Sequence, residues 1–396
     1  MTTEQRFLLL LILVGALATA LGLVSKRARL LPYPVVLAAA GVAVGLLPGG
    51  QFPRISGGVM LLAFVPGLVF EAALTLDLAE LRRRLIPISL LATIGVAMTV
   101  LLIGFLTHLI LGFSWASGFL LGAILASTDP IAIVTLLRRI KAPPGLAAIL
   151  EGESLFNDGT GVAVFSAVLA TILSGSPSFS DGTIRFLELM VGGTAIGLAI
   201  GFLGLTLLRF AADAPLEILA TLVIAYGSYL AADLVHASGV VAVVVAGIVV
   251  ARYGARLGQL HGPQLLGFWN LLAFVFNAIL FILVGAALPA TTLLPVAGVV
   301  VVAYVIMLVT RAVPVYGLLA LAAIRSASIP WRWRHATYWA GLRGALSVAL
   351  ALSVAGLPGV DSRVSAVAYG VVLLSLLIQG ALMGPVMHRL RIESAS

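Results

Sequence analysis

The sequence predicts an all-α polytopic membrane protein with about thirteen transmembrane helices. Three observations predict it. Of 396 residues, 61% are hydrophobic and only 10% are charged, and the mean hydropathy is +1.18. A soluble chain carries about 25% charged residues, and no single soluble core could hide this much apolar side chain. The apolar residues fall in successive stretches of membrane-spanning length, and the basic residues gather in every second loop between them.

A span needs about 20 apolar residues. Read in order, the candidates are roughly 7–24, 32–48, 57–77, 85–111, 115–137, 145–173, 184–208, 215–233, 238–251, 265–288, 292–322, 335–356 and 364–388. The second is interrupted by Pro32, Pro34 and Gly41, and the ninth is short. Loops after odd-numbered spans hold seventeen Lys and Arg residues, among them Lys26, Arg27 and Arg29, Arg82 to Arg84, and Arg138, Arg139 and Lys141. The other side holds four: Arg6, Arg54, Arg185 and Arg363. Cytoplasmic loops carry the basic excess. The bias therefore supports thirteen spans, with the N-terminus outside and the C-terminus in the cytoplasm of an inner (plasma) membrane. Trp115, Trp269, Trp331 and Trp333 fall near span ends, where an aromatic belt is expected.

The formal net charge of +8 is explained by these loops, so no nucleic-acid partner is expected. The absence of cysteine excludes disulfides, thiolate chemistry and Cys-based metal sites. The start of the chain does not read as a cleavable signal, because Glu4 and Arg6 precede a long apolar stretch and more spans follow at once. No soluble domain is expected at either end.

Two spans are broken. In the fifth, Asp129 is followed by Pro130, which removes a helical N–H and disfavours α geometry at the preceding residue. Backbone unwound at membrane depth must face protein or a wet cavity, and its freed carbonyls can hold a cation. The twelfth carries Gly341-Leu-Arg343-Gly344. Spans five and twelve are seven apart, and an odd offset inverts topology, as in inverted-repeat transporters.

Four acidic side chains lie inside apolar stretches: Glu71, Asp129, Glu153 and Asp158. A carboxylate at this depth costs roughly 2.5–3.5 kcal/mol on insertion scales, so it marks an ion or proton site. On the sixth span Glu151, Ser154 and Asp158 share one helical face, and Glu153 and Asn157 share a neighbouring one. Asp158, Asp129, the Ser154 hydroxyl, a Thr128 carbonyl and a water make an oxygen shell for Na⁺. Burial and a second carboxylate disfavour the charged form of any carboxylic acid, so the same group can hold a proton. A site where Na⁺ and H⁺ compete is an exchanger by mass action. Glu153 is expected to pair with one of the two arginines within spans, Arg311 or Arg343, since buried charges are normally paired. Glu71 either snorkels to water or flanks the ion path. Glu151 reads as an entrance residue, and Asp77 and Glu80 as loop charges. The five histidines sit near span ends without metal spacing.

The strings Ser127-Thr128-Asp129-Pro130 and Glu151-Gly-Glu153-Ser154-Leu-Phe-Asn157-Asp158-Gly159 resemble the signature of monovalent cation:proton antiporters, and more narrowly of NhaP-type sodium/proton antiporters and the related animal sodium/proton exchangers. Phe70-Glu71-Ala72-Ala73-Leu74, Val235–Gly247, Phe268–Asn277 and Gly341–Ala345 extend the resemblance over nearly the whole chain. It implies one transmembrane transporter unit over 1–396. It implies a thirteen-span fold with two inverted six-helix repeats, in which a core domain includes the spans near 85–173 and 292–388 and the broken helices cross at mid-membrane. The remaining spans would form a dimerisation domain. It also implies a homodimer working by elevator-type alternating access, with membrane lipids as neighbours and no cofactor. Asp158 would carry the ion or proton, and Asn157 would order the crossing. Thr128, Asp129, Ser154 and Glu71 would complete or approach the cation site, and Glu153 would pair with Arg311 in preference to Arg343. Asn157, standing where electrogenic relatives carry a second Asp, implies electroneutral exchange of one cation for one proton. The long cytoplasmic regulatory tail of the animal exchangers has no counterpart here, so no tail-binding regulators are expected.

The function expected is exchange of Na⁺ (or Li⁺) for H⁺, with K⁺/H⁺ exchange on the same scaffold as the alternative. An enzyme is not expected: the chain has no Gly-x-Gly-Asp, Gly-x-Ser-Gly or His-Glu-x-x-His motif of an intramembrane protease. A channel would need a continuous pore, and a sensor would carry a soluble output domain.

Overall fold

The computed structural model describes residues 12, 15–23, 32–45, 57–129, 133, 136, 137, 140–175, 179–254, 262–325 and 329–392. Much of the first candidate span, Pro130, and the loop residues Arg6, Lys26, Arg27, Arg29, Arg54, Arg138, Arg139 and Arg256 lie outside the described residues. Among the described residues the regular structure is entirely helical. This is the expected solution for a chain in lipid, where each segment must satisfy its own backbone polar groups.

In chain order the helices are α1 (Tyr33–Gly45), α2 (Gly57–Thr75), α3 (Leu78–Arg83), α4 (Leu85–Leu111), α5 (Trp115–Ile124) and α6 (Pro144–Leu173). They continue with α7 (Phe179–Arg209), α8 (Ala214–Leu234), α9 (Gly239–Gly254), α10 (Gly262–Ala286), α11 (Ala297–Arg325), α12 (Trp331–Trp339), α13 (Ala345–Ser353) and α14 (Arg363–Arg389). Among the described residues, eight helices are long and apolar enough to cross a membrane, and α1, α5 and α9 are shorter apolar helices.

Local chemistry sets the ends. Asp77 caps α3 by accepting the Ala79 and Glu80 amides at 2.9 and 3.1 Å, so it is more than a loop charge. Ser114 caps α5 through the Ser117 amide at 3.2 Å. Asp213 caps α8 through the Leu216 amide at 3.0 Å, and each such cap satisfies one orphan donor. Gly112, at φ 68°, closes α4 in the left-handed conformation that glycine adopts without steric cost.

Helices meet where residues are small, as expected when lipid offers no hydrophobic drive to association. A Cβ on Gly285 of α10 would lie 2.8 Å from the Gly41 Cα of α1, so the two backbones touch. A Cβ on Gly122 of α5 would lie 2.7 Å from the Val100 carbonyl of α4. One apolar cluster joins α4, α5, α6, α11, α13 and α14 around Leu120, Leu121, Val348 and Val367. A second joins α2, α8, α9 and α10. Trp269 belongs to this second core and is fully buried, which corrects its assignment to an aromatic belt. Its ring packs on Phe70 at 4.9 Å and its N–H donates to the Thr221 hydroxyl at 3.1 Å. An indole whose donor finds an acceptor inside can be buried whole. Trp115 and Trp331 are exposed.

Two helical paths are interrupted inside the first cluster. Helical geometry ends after α5, leaving Ser127–Asp129 irregular, and Gly341–Gly344 separates α12 from α13.

Candidate functional site

The two irregular stretches lie against each other. The Asp129 amide donates to the Leu342 carbonyl at 2.7 Å. In return Arg343, fully buried, donates through Nη1 to the carbonyls of Ala126 at 2.8 Å and Ser127 at 3.1 Å. These are acceptors that the end of α5 leaves without helical partners. A fixed cation there also complements the partial negative charge of a helix C-terminus. The Arg343 Nε approaches the Met307 sulfur at 3.3 Å.

α6 ties the crossing from the side. The Asn157 side chain accepts the Thr128 amide at 3.2 Å and donates to the Thr128 hydroxyl at 2.7 Å. The Ser154 hydroxyl donates to the Thr128 carbonyl. Thr128 is thus held at its N–H, its carbonyl and its hydroxyl. The Ser127 hydroxyl lies 3.3 Å from the Asn157 carbonyl and within hydrogen-bonding reach of the Asp158 carboxylate, which faces Asp129. Ser127, Thr128, Ser154 and Asn157 are all buried. Asp129 and Asp158 keep partial solvent access. Gly344 seats Asp129: a Cβ there would come within 2.6 Å of the Asp129 Cγ.

Glu153, on the next face of α6, forms a two-point ion pair with Arg311 of α11. Its distances are 3.0 Å (Nη1 to Oε1) and 3.3 Å (Nη2 to Oε2). The side chains are 4% and 7% exposed, and Arg311 also donates to the Thr337 carbonyl of α12 at 3.1 Å. A small cavity beside this pair is lined by Thr99, Ala126, Glu153, Asn157 and Arg311. Glu71 lies on α2, partly accessible, where Phe70 and Ala73 of the same helix pack on Gly247 of α9. Glu151 is likewise partly accessible.

Several contributors have no sequence expectation attached to them. Ser127 stands in the quoted motif yet touches both Asn157 and Asp158. Ser375 and Gln379 of α14, both fully buried, support the backbone of Arg343. Glu217, an acidic residue within the eighth candidate span, is also fully buried, in the first turn of α8, where a carboxylate suits the helix dipole. Its place two residues after Pro215, at a helix start, was the available signal.

The arrangement offers carboxylate, hydroxyl and carbonyl oxygens, ligands that suit hard cations. Among the described residues there is no group of three or more His, Cys, Asp or Glu side chains that could hold a metal ion. A family model for the transmembrane sodium/hydrogen exchanger matches residues 10–389. The chain is 36% identical over 393 residues to the Na⁺/H⁺ antiporter ApNhaP of Aphanothece halophytica, covering 98% of this chain and 74% of that protein. It is 34% identical over 404 residues to the Na⁺/H⁺ antiporter NhaP of Pseudomonas aeruginosa, covering 98% and 93%. Its fold matches the solved structure of the sodium proton antiporter MjNhaP1 from Methanocaldococcus jannaschii at pH 8. The TM-score is 0.80 at 20% identity, with 97% of this chain and 99% of that one covered.

Proposed function

The chain belongs to the transmembrane sodium/hydrogen exchanger family, and from that premise we propose that it exchanges Na⁺ (or Li⁺) for H⁺ with Asp158 as the shared binding group. The observation that carries the proposal is the charge at the crossing. Glu153 and Arg311 cancel as a pair. Arg343, fixed among carbonyls, brings one positive charge to the crossing, and Asp129 and Asp158 bring two negative ones. The group is then left with one negative charge when both aspartates are ionised. One monovalent cation or one proton neutralises it, and binding of either disfavours the other. Occupancy by one positive charge in every loaded state makes the exchange electroneutral, one for one.

In this reading Asp158 carries the ion, with Asp129, the Thr128 carbonyl and the Ser154 oxygen completing the shell, and Glu71 borders the path from α2. Asn157 holds the break in α5. The fold has thirteen spans with two inverted repeats, N-terminus outside and C-terminus in the cytoplasm of the plasma membrane; a core that includes the two broken spans moves against a dimerisation domain, formed by the remaining spans, in a homodimer. The buried bonds that knit α5, α6, α11, α12 and α14 support movement of the core as one body.

The test is dissipation of an imposed ΔpH in proteoliposomes, followed by fluorescence dequenching as Na⁺, Li⁺ and K⁺ are added in turn. Dequenching with Na⁺ or Li⁺ is expected. A response to K⁺ alone would replace the Na⁺ reading with K⁺/H⁺ exchange, and a rate that tracks clamped membrane voltage would overturn electroneutrality.

A further inference from the structure

Asp129 is linked to the last helix of the protein by a chain of hydrogen bonds that passes through a single peptide group. The Asp129 N–H donates to the Leu342 carbonyl at 2.7 Å. The N–H on the other side of that same peptide bond, from Arg343, donates to the Ser375 hydroxyl at 3.1 Å. Ser375 in turn donates its only proton to the Gln379 Oε1 at 2.7 Å. Ser375 and Gln379 are both fully buried.

The direction of the chain follows from the Gln379 oxygen set against Ser375. A hydroxyl has one proton and two lone pairs. With its proton committed to Gln379, Ser375 can present only a lone pair to Arg343 N–H. The two residues sit at the ends of a π-helical turn, Ser375–Gln379, a local irregularity often found at functional sites. Donors and acceptors in series polarise one another, and in a low-dielectric interior each bond strengthens the next. The Arg343 side chain bonds the carbonyls of Ala126 and Ser127, so α14 holds the peptide from which both the backbone and the side-chain grip on the α5 break depend.

We propose that Ser375 and Gln379 are positioning residues for the cation site, fixing the peptide 342–343 and through it the carboxylate of Asp129. The proposal rests on the exchange reading above, and it predicts that cation affinity at a site in α5 and α6 is set from α14.

The variants are Ser375→Ala, Ser375→Thr and Gln379→Leu, with the double variant Ser375→Ala/Gln379→Leu. In reconstituted exchange, Ser375→Ala leaves the Arg343 N–H buried without an acceptor, at a cost that corresponds to about a five- to tenfold rise in apparent KM for Na⁺. Vmax stays within about twofold of wild type, because the ion-carrying oxygens remain. Ser375→Thr restores the KM. The double variant is no weaker than Ser375→Ala alone, since both substitutions cut one chain. Hydrogen exchange of the segment containing Asp129 supplies a reading independent of transport: it quickens in Ser375→Ala and returns to wild-type protection in Ser375→Thr. Unchanged protection in Ser375→Ala would overturn the inference whatever the transport result. So would a loss of Vmax at unchanged KM that threonine does not rescue. A wild-type protein that exchanges no cation would sink the function proposed above, while the protection pattern would still decide this inference.

Discussion

Replacing Gly344 with alanine is the sharpest perturbation of the crossing. Gly344 has φ −120° and ψ −161°, extended backbone that alanine adopts freely, so the substitution carries no backbone strain. Its effect is steric. The added Cβ would sit 2.6 Å from the Asp129 Cγ, whereas non-bonded carbons rest at about 3.5–4.0 Å. The Asp129 carboxylate must therefore retreat by about 0.9 Å at the least. Displacements of about 1 Å in a positioned site cost on the order of 100-fold. The expected result is a rise of about 100-fold in apparent KM for Na⁺, or exchange below detection, in proteoliposomes that contain normally folded protein. Gly227→Ala is the matched control. Nothing lies within 4 Å of its added Cβ, and in a helix interior alanine is favoured over glycine by about 0.5–1 kcal/mol. It should transport like wild type and melt no lower. If Gly344→Ala showed a KM within about twofold of wild type, contact with Gly344 could not be what places Asp129.

Two further outcomes follow from buried contacts. Arg311→Met strands Glu153 without its partner and should destabilise the protein by about 3–5 kcal/mol, while Arg311→Met/Glu153→Leu should recover most of the loss, because an apolar pair of similar volume replaces a buried ion pair with little penalty; equal melting temperatures for the single and double variants would contradict this. Gly285→Ala pushes a Cβ to 2.8 Å from the Gly41 Cα and should cost about 1–3 kcal/mol of overpacking, read as a lowered melting temperature with the Na⁺ KM unchanged; an unshifted melting temperature would show that α1 and α10 part without cost.

The membrane class and the residues at the α5 break were legible because their signals are local. Apolar stretch length, loop charge, a proline after Asp129 and the i, i+4 spacing of Ser154 and Asp158 all lie within one or two helical turns. What the sequence left open depends on partners far apart in the chain. Glu153 and Arg311 are 158 residues apart, and no local pattern distinguishes Arg311 from Arg343 as the partner. Arg343 reads as a charge in need of a carboxylate, yet its Nη1 bonds carbonyls 216 and 217 residues away, which exist as free acceptors only because another helix breaks. Ser375 and Gln379 are ordinary residues of an apolar span until a peptide from α12 and α13 is laid on them. Trp269 illustrates the converse: its position near a span end suggested a belt, but Thr221, 48 residues earlier, supplies the acceptor that lets it be buried. In sequence alone, the glycines at 341 and 344 fit close helix packing as well as an unwound stretch. They serve side chains: Gly341 makes room for the Arg311 guanidinium and Gly344 for the Asp129 carboxylate.

The central claim is that Na⁺ and H⁺ share one carboxylate, and its most direct measurement is the apparent KM for Na⁺ as a function of pH in wild type and in Asp158→Asn. Competition for a single group predicts that KM rises about tenfold for each unit by which the pH falls on the acidic limb, with Vmax unchanged, and that Asp158→Asn exchanges nothing at any pH. A Na⁺ KM that does not vary with pH, or an Asp158→Asn variant that retains exchange, would contradict it.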